Sequence, residues 1–171
     1  MSVVSQDNRT DEELPLEEYH DFALFIIEQF GIFENVELSL SYADPDEMRS
    51  LNRQYRGVDE TTDVLSFPCD GLDGEGDGFL YGEFLHESTP PDDLFLLGDV
   101  VIAPAIAREH AEEFDSTFKD EMLLMHVHGI LHLLGFDHIA DSDYEEMRER
   151  ETELLMEWEQ KSAQRNQRGV L

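Results

Sequence analysis

The segment from Glu121 to Gly135, EMLLMHVHGILHLLG, constrains the fold more than any other part of the chain. At helical spacing its apolar residues fall on nearly every side, so a helix formed here must be surrounded by other elements. Thr117 followed by Asp120 is a capping-box pattern that places the helix start just after Thr117. The segment therefore predicts a central, buried helix.

Helices and strands alternate along the rest of the chain. Periodicity and the positions of proline and glycine predict helices at about 16–30, 44–57, 104–114 and 141–161, and strands at about 36–43, 63–68 and 94–103. Gly98 inside the third strand predicts a bulge or a close approach of two backbones. We expect an α+β (α/β-type) fold in which a small mixed β-sheet packs with helices.

Length and composition predict one domain spanning residues 1–171. From about residue 69 to residue 93 the chain is rich in glycine and acidic residues, which is typical of an insertion or long loop outside the core. Residues from about 162 to 171 show no periodic pattern, and we expect an unstructured tail there.

Charge and cysteine usage limit the possible partners and compartment. The chain has 11 basic and 41 acidic residues, a formal net charge of -30, so any nucleic acid must bind at a locally basic surface. The single cysteine, Cys69, excludes an internal disulfide and favours a reducing compartment. Without a secretion signal or a membrane-length apolar segment, we expect a cytoplasmic protein with no membrane partner.

The histidines of the central helix have the spacing of metal ligands. His128 and His132 are one helical turn apart on the same face, and Gly135 allows a turn that brings His138 back to them. Three imidazoles suit Zn²⁺ and leave a fourth position for water, as in a catalytic site. His126 falls on a different face, while Asp137 can orient a ligand by a hydrogen bond.

A buried helix with individually satisfied histidines is the simpler alternative. It requires a separate partner for each ring of the set, so the complete spacing favours a metal. Metzincin peptidases share this spacing but carry a glutamate as general base where this chain has Gly129. The missing proton acceptor makes a zinc metallopeptidase, or another zinc hydrolase, the alternative rather than the first hypothesis.

Three blocks of sequence resemble one family. HGILHLLGFDH is similar to the signature of the YbeY family, LNRQYRGVDETTDVLSFP is similar to its upstream motif, and LGDVVIAP to a block between them. The blocks follow the family's order over about residues 50–140. The resemblance implies a zincin-like metal helix and a metal-dependent endoribonuclease that acts on single-stranded ribosomal RNA, in small-subunit 3′ maturation and ribosome quality control.

The same resemblance assigns roles to individual residues and partners. It implies one Zn²⁺, or another divalent ion, on His128, His132 and His138, and an arginine important for cleavage at Arg56. Ribosomal RNA and the small ribosomal subunit are the implied partners, with no DNA. A non-catalytic ribosome-assembly factor, whose metal only holds the fold, remains a second alternative, and it requires a fourth protein ligand.

Arg56 belongs to a basic cluster on the helix at 44–57. Arg49, Arg53 and Arg56 share one face of that helix and provide a local positive surface on an acidic chain. A guanidinium also suits the charge that develops on a phosphoryl group. For Arg49, pairing with nearby acids on a solvated face is an equally good interpretation.

Overall fold

The computed structural model describes residues 1–31, 35–69, 94–136 and 140–169, which form four strands and five helices. The strands are β1 Val3–Asn8, β2 Val36–Tyr42, β3 Val64–Pro68 and β4 Phe95–Ile102. The helices are α1 Leu16–Gln29, α2 Pro45–Arg56, α3 Pro104–Glu113, α4 Phe118–Leu133 and α5 Asp141–Gly169. The predicted α+β class is confirmed.

The strands form one mixed sheet in the order β1-β2-β4-β3. The first three of these are parallel, and β3 pairs antiparallel with β4 as an edge strand. At Gly98 the pairing of β2 with β4 shifts by one residue, and a side chain there would collide with the Phe67 carbonyl of β3. The bulge and the close backbone approach predicted for Gly98 both occur.

Helices cover both faces of this sheet. On one face, α1, α4 and α5 pack in the main core with Leu38, Leu40 and Val100, which are fully buried. On the other face, Met48 of α2 packs in a smaller core with Leu65 and Val101. Because side chains alternate across each strand, β3 and β4 contribute to both cores.

Helix α4 is the central buried helix that the sequence predicts. Met122, Val127, Ile130 and Leu131 are fully buried, and they lie on different sides of the helix. Thr117 caps the helix, with its hydroxyl oxygen accepting a hydrogen bond of 3.1 Å from the Asp120 amide. Within the described residues, no helix has the length and apolar character needed to cross a bilayer.

Strand β1 has no counterpart in the sequence prediction. Val4 is its only buried residue, and polar side chains follow it. The strand exists because its backbone pairs with β2 from Val3 opposite Glu37 to Asn8 opposite Tyr42. An edge strand with one buried side chain leaves almost no hydrophobic periodicity to detect.

The prediction of an unstructured tail from about residue 162 is wrong for residues 162–169, which continue α5. This stretch contains good helix formers and no proline. Arg165 also ties it to α1 by an ion pair with Asp21, at 3.2 Å. Most of the predicted insertion, residues 70–93, lies outside the described residues, and the single domain stays a prediction.

We predict that Gly129→Ala destabilises the protein. The new Cβ would lie 2.5 Å from Val100 Cγ1 and 3.1 Å from Val64 Cγ2, both on stiff β-branched side chains. Alanine gains about 1 kcal/mol of helix propensity, but overpacking costs about 1 to 3 kcal/mol. Urea denaturation should show a lower free energy of unfolding, and a smaller loss when Gly129→Ala is made in a Val100→Ala background. A stabilised single variant contradicts this account.

Candidate functional site

His128 and His132 face each other on one side of α4. Their Nε2 atoms are 3.1 Å apart, and the ring planes are nearly perpendicular, with centroids separated by 4.6 Å. Both side chains are half-buried. The helix thus brings two predicted ligands together through local geometry alone, as their spacing of four residues requires.

The second nitrogen of each ring is held by a hydrogen-bond acceptor. His128 Nδ1 lies 2.6 Å from Glu151 Oε1 of α5, and His132 Nδ1 lies 2.9 Å from the Phe136 carbonyl oxygen. A carboxylate and a carbonyl accept hydrogen bonds, so each Nδ1 carries a proton and donates it. When the rings are neutral, this tautomer directs the Nε2 lone pairs toward each other.

The two facing nitrogens fit a metal ion. Two neutral rings have no proton to share between Nε2 atoms, so either an additional proton or a cation must lie there. A tetrahedral Zn²⁺ with nitrogen ligands at about 2.0 to 2.1 Å separates two such atoms by about 3.3 Å. The separation of 3.1 Å in the structure is close to that value. The donor set therefore suits an imidazole-bound divalent ion.

The turn after α4 has the form that the sequence predicts. Gly135 adopts a φ of 92°, its amide donates to the His132 carbonyl at 3.0 Å, and the next amide donates to the Leu131 carbonyl. His138 and Asp137 lie outside the described residues, so their predicted roles stay predictions. The described ranges hold no group of three or more histidine, cysteine or acidic side chains suited to a metal.

His126 lies apart from this pair, in the main core. It is fully buried, with Nδ1 2.6 Å from the Met122 carbonyl oxygen and Nε2 2.9 Å from the Tyr42 hydroxyl. Burial lowers the pKa of His126 to about 4, so the ring is neutral at pH 7. Its Nε2 and Gln6 Oε1 are both 2.9 Å from the Tyr42 oxygen and are the two acceptors for the hydroxyl proton. The prediction that His126 is separate from the ligand face is confirmed.

We predict that Tyr42→Phe lowers stability by about 1 to 3 kcal/mol, because it leaves the buried His126 Nε2 and Gln6 Oε1 without the Tyr42 hydroxyl. Urea denaturation at pH 7 measures the loss. Tyr144→Phe is the matched control, since Tyr144 is 51% exposed and its change should stay within about 0.5 kcal/mol. Equal effects of the two substitutions would contradict the assigned hydrogen bond.

The predicted basic cluster divides into paired and exposed arginines. Arg49 donates two hydrogen bonds, of 2.9 and 3.2 Å, to the Asp59 carboxylate, and this contact lowers the pKa of Asp59. Arg53 and Arg56 are exposed near the C-terminal end of α2, which terminates at Gly57 with a φ of 71°. Among the three, Arg49 is thus held in an exposed ion pair within the protein.

Strand β3 lies between α2, which carries Arg56, and α4, which carries the two histidines, and contacts both. On one side the ring of Tyr55, next to Arg56, packs edge-to-face on Phe67, with ring centroids 5.1 Å apart. On the other side the Ser66 hydroxyl donates to the Gly129 carbonyl at 2.8 Å. Arg56 and the histidine pair therefore belong to elements on opposite faces of the sheet, on either side of its edge strand.

Sequence reasoning missed the acceptors that orient the two rings. Glu151 is one of many acidic residues in the last helix, and no sequence signal distinguishes it. The Phe136 carbonyl is a backbone group whose position depends on the turn at Gly135. Both follow from contacts that only the folded chain makes.

Comparisons with known proteins agree with the geometry. The family model described as endoribonuclease YbeY matches residues 4–159. Curated proteins named endoribonuclease YbeY include one from Bacillus subtilis, 36% identical over 91% of this chain and 92% of its own, and one from Clostridioides difficile, 37% identical over 88% and 90%. The relative from Alkaliphilus metalliredigens is 44% identical over 71% of this chain and 70% of its own.

A solved structure has the same fold. The solution structure of TM1509 from Thermotoga maritima superposes with a TM-score of 0.56, at 27% identity and covering 93% of each chain. The fold and the facing imidazoles define an α+β protein suited to hold a metal ion. The chain belongs to the endoribonuclease YbeY family. The resemblance found in its three sequence blocks is confirmed.

Proposed function

We propose that this protein is a metal-dependent endoribonuclease that cleaves single-stranded ribosomal RNA, in 3′ maturation of the small-subunit RNA and in ribosome quality control. Beyond family membership, the observation that carries the proposal is the pair of facing Nε2 atoms of His128 and His132, 3.1 Å apart. Ribosomal RNA and the small ribosomal subunit are its partners, and the cytoplasm is its location.

The metal ligands are His128 and His132 through Nε2, with His138 as the third. Three imidazoles favour Zn²⁺, although other divalent ions accept the same ligands. When bound, the ion supplies Lewis acidity and lowers the pKa of a water molecule. The role of the protein is to keep both Nδ1 protons on fixed acceptors, so that both Nε2 lone pairs meet at one point.

Arg56 stabilises the negative charge that develops on the phosphoryl oxygens during cleavage. It is exposed beside the edge strand β3, and the histidine pair lies across that strand. An extended single strand of RNA that passes over this edge would meet Arg56 on one side and the histidine pair on the other. Arg53 adds a phosphate contact, and Arg49 contributes less because Asp59 neutralises it.

The net charge of -30 agrees with a substrate bound at one local surface. Because most of the protein repels RNA, binding should depend strongly on salt or on a ribosomal partner. Non-specific RNA binding should be weak. This surface is defined by Arg53 and Arg56, on the part of the chain that the structure describes.

Helix packing disfavours the peptidase alternative. A peptidase of this type needs a glutamate at position 129, but even a Cβ there would collide with Val100 and Val64 of the sheet. The position therefore faces the sheet and has no room for a glutamate. An assembly factor with a structural metal would bind zinc without hydrolysing RNA, so activity measurements distinguish it from an enzyme.

We predict that RNA cleavage requires the metal and His132. Protein of known zinc content would be incubated with single-stranded RNA, with folded ribosomal RNA and with casein. Chelator should abolish cleavage of the single strand, added Zn²⁺ should restore it, and His132→Ala should lose both zinc and activity. Cleavage that survives both treatments would contradict the mechanism. Hydrolysis of casein would support the peptidase, and zinc binding without any hydrolysis would support the assembly factor.

We predict that Arg56→Ala lowers kcat/KM for single-stranded RNA by about 10²- to 10³-fold, the effect of removing one donor to a charged transition state. Its zinc content should be unchanged, because Arg56 binds phosphate rather than the metal. Arg168→Ala removes an equal charge from an exposed position on α5 and is the matched control. If the two variants cleave alike, Arg56 has no specific role.

A further inference from the structure

Glu151 occupies an unusual position on α5. Met147, Leu154 and Trp158, at 2%, 1% and 5% exposure, form the stripe by which this helix packs on the core. Glu151 is four residues after Met147 and three before Leu154, so it lies within the same stripe. Its side chain is only 12% exposed. Glu151 thus places a carboxylate at a position of the stripe where packing on the core favours an apolar side chain.

A buried carboxylate needs a partner to offset its loss of hydration. Here the partner is His128, whose Nδ1 donates to Glu151 Oε1 at 2.6 Å. This distance is at the short end for a hydrogen bond from a ring N–H to a carboxylate oxygen. All other acidic residues of α5 are exposed, so the helix places one carboxylate inward, against a predicted metal ligand.

The contact is on the side of the ring away from the ligand nitrogen. Nδ1 and Nε2 project from different edges of the imidazole, so a carboxylate bonded to Nδ1 orients the ring and leaves coordination to Nε2. His132 is held in the same way, but by the Phe136 backbone carbonyl, which no side-chain substitution removes. Glu151 is therefore the side chain through which the orientation of a ligand can be changed.

We propose that Glu151 is a positioning residue of the metal site. It holds His128 in the tautomer with hydrogen on Nδ1 and aims Nε2 at the ion, and thereby raises metal affinity. The inference rests on the metal site of the proposed function, but on no step of RNA cleavage. A purely structural role, in which Glu151 only docks α5 on α4, is the competing account.

Two substitutions separate these accounts. Glu151→Leu fills the apolar stripe and removes the acceptor, whereas Glu151→Gln keeps an acceptor oxygen in nearly the same shape. Glu157→Leu, at an exposed position of the same helix, is the matched control. Zinc affinity would be measured by competition with a chromophoric chelator, and folding of the metal-free proteins by urea denaturation.

The proposal predicts that Glu151→Leu binds Zn²⁺ about 10- to 100-fold more weakly, the usual effect of losing a partner of a ligating histidine. Glu151→Gln should lose less, and Glu157→Leu should match the parent. Proton–nitrogen NMR spectra of the histidine rings should show the Nδ1 tautomer of His128 in the metal-free parent and a mixture of tautomers in Glu151→Leu. If Glu151 only docks α5 on α4, Glu151→Leu changes stability and leaves zinc affinity unchanged.

Unchanged zinc affinity in a folded Glu151→Leu protein overturns the proposal. If Glu151→Leu does not fold, Glu151→Met, which keeps the length of the side chain and removes the acceptor, decides the matter: unchanged zinc affinity with lower stability assigns Glu151 a docking role and also overturns the proposal. The RNA assay is separate. A parent protein that binds zinc and cleaves no RNA refutes the proposed function and leaves the role of Glu151 intact.

Discussion

The close packing of α4 on the sheet is the constraint on which the rest of the structure depends. At Gly129 the helix approaches β3 and β4 so closely that Val100 and Val64 occupy the space of a side chain. The Ser66 hydroxyl then reaches the helix backbone at Gly129. With that face committed to the sheet, His128 and His132 must lie to one side of α4, where α5 reaches His128 through Glu151.

The same glycine relates the fold to the chemistry. In the sequence, Gly129 counts against a peptidase because a carboxylate is missing beside the first histidine. In the structure, the position is closed by packing, so the missing carboxylate is a requirement of the helix–sheet contact. A helix with this packing presents His128 and His132 along its side and has no room beside them for a carboxylate at position 129.

Ion pairs explain how so acidic a chain retains a basic surface. Carboxylates neutralise several arginines: Arg9, Arg49, Arg108, Arg150 and Arg165. Over the described ranges, no such pair forms at Arg53 or Arg56, which are exposed beside the edge strand. Arg148 and Arg168 of α5 are also exposed without such a pair in the described ranges, so what distinguishes Arg53 and Arg56 is that they lie together beside the edge strand.

The sequence by itself determined what depends on neighbours along the chain. The capped central helix, the alternation of β2, the turn at Gly135 and the pairing of His128 with His132 follow from local spacing, because each requires only the geometry of one element. Three motif blocks were also enough to indicate the family.

Only the tertiary structure decided what depends on contacts between distant segments. Strand β1 exists through its pairing with β2, and α5 extends to Gly169 with help from the ion pair to α1. Arg49 forms an ion pair with Asp59, and of the many acidic residues in α5 it is Glu151 that accepts a hydrogen bond from His128. No local pattern encodes these features, because each arises when packing brings together groups that are far apart in the chain.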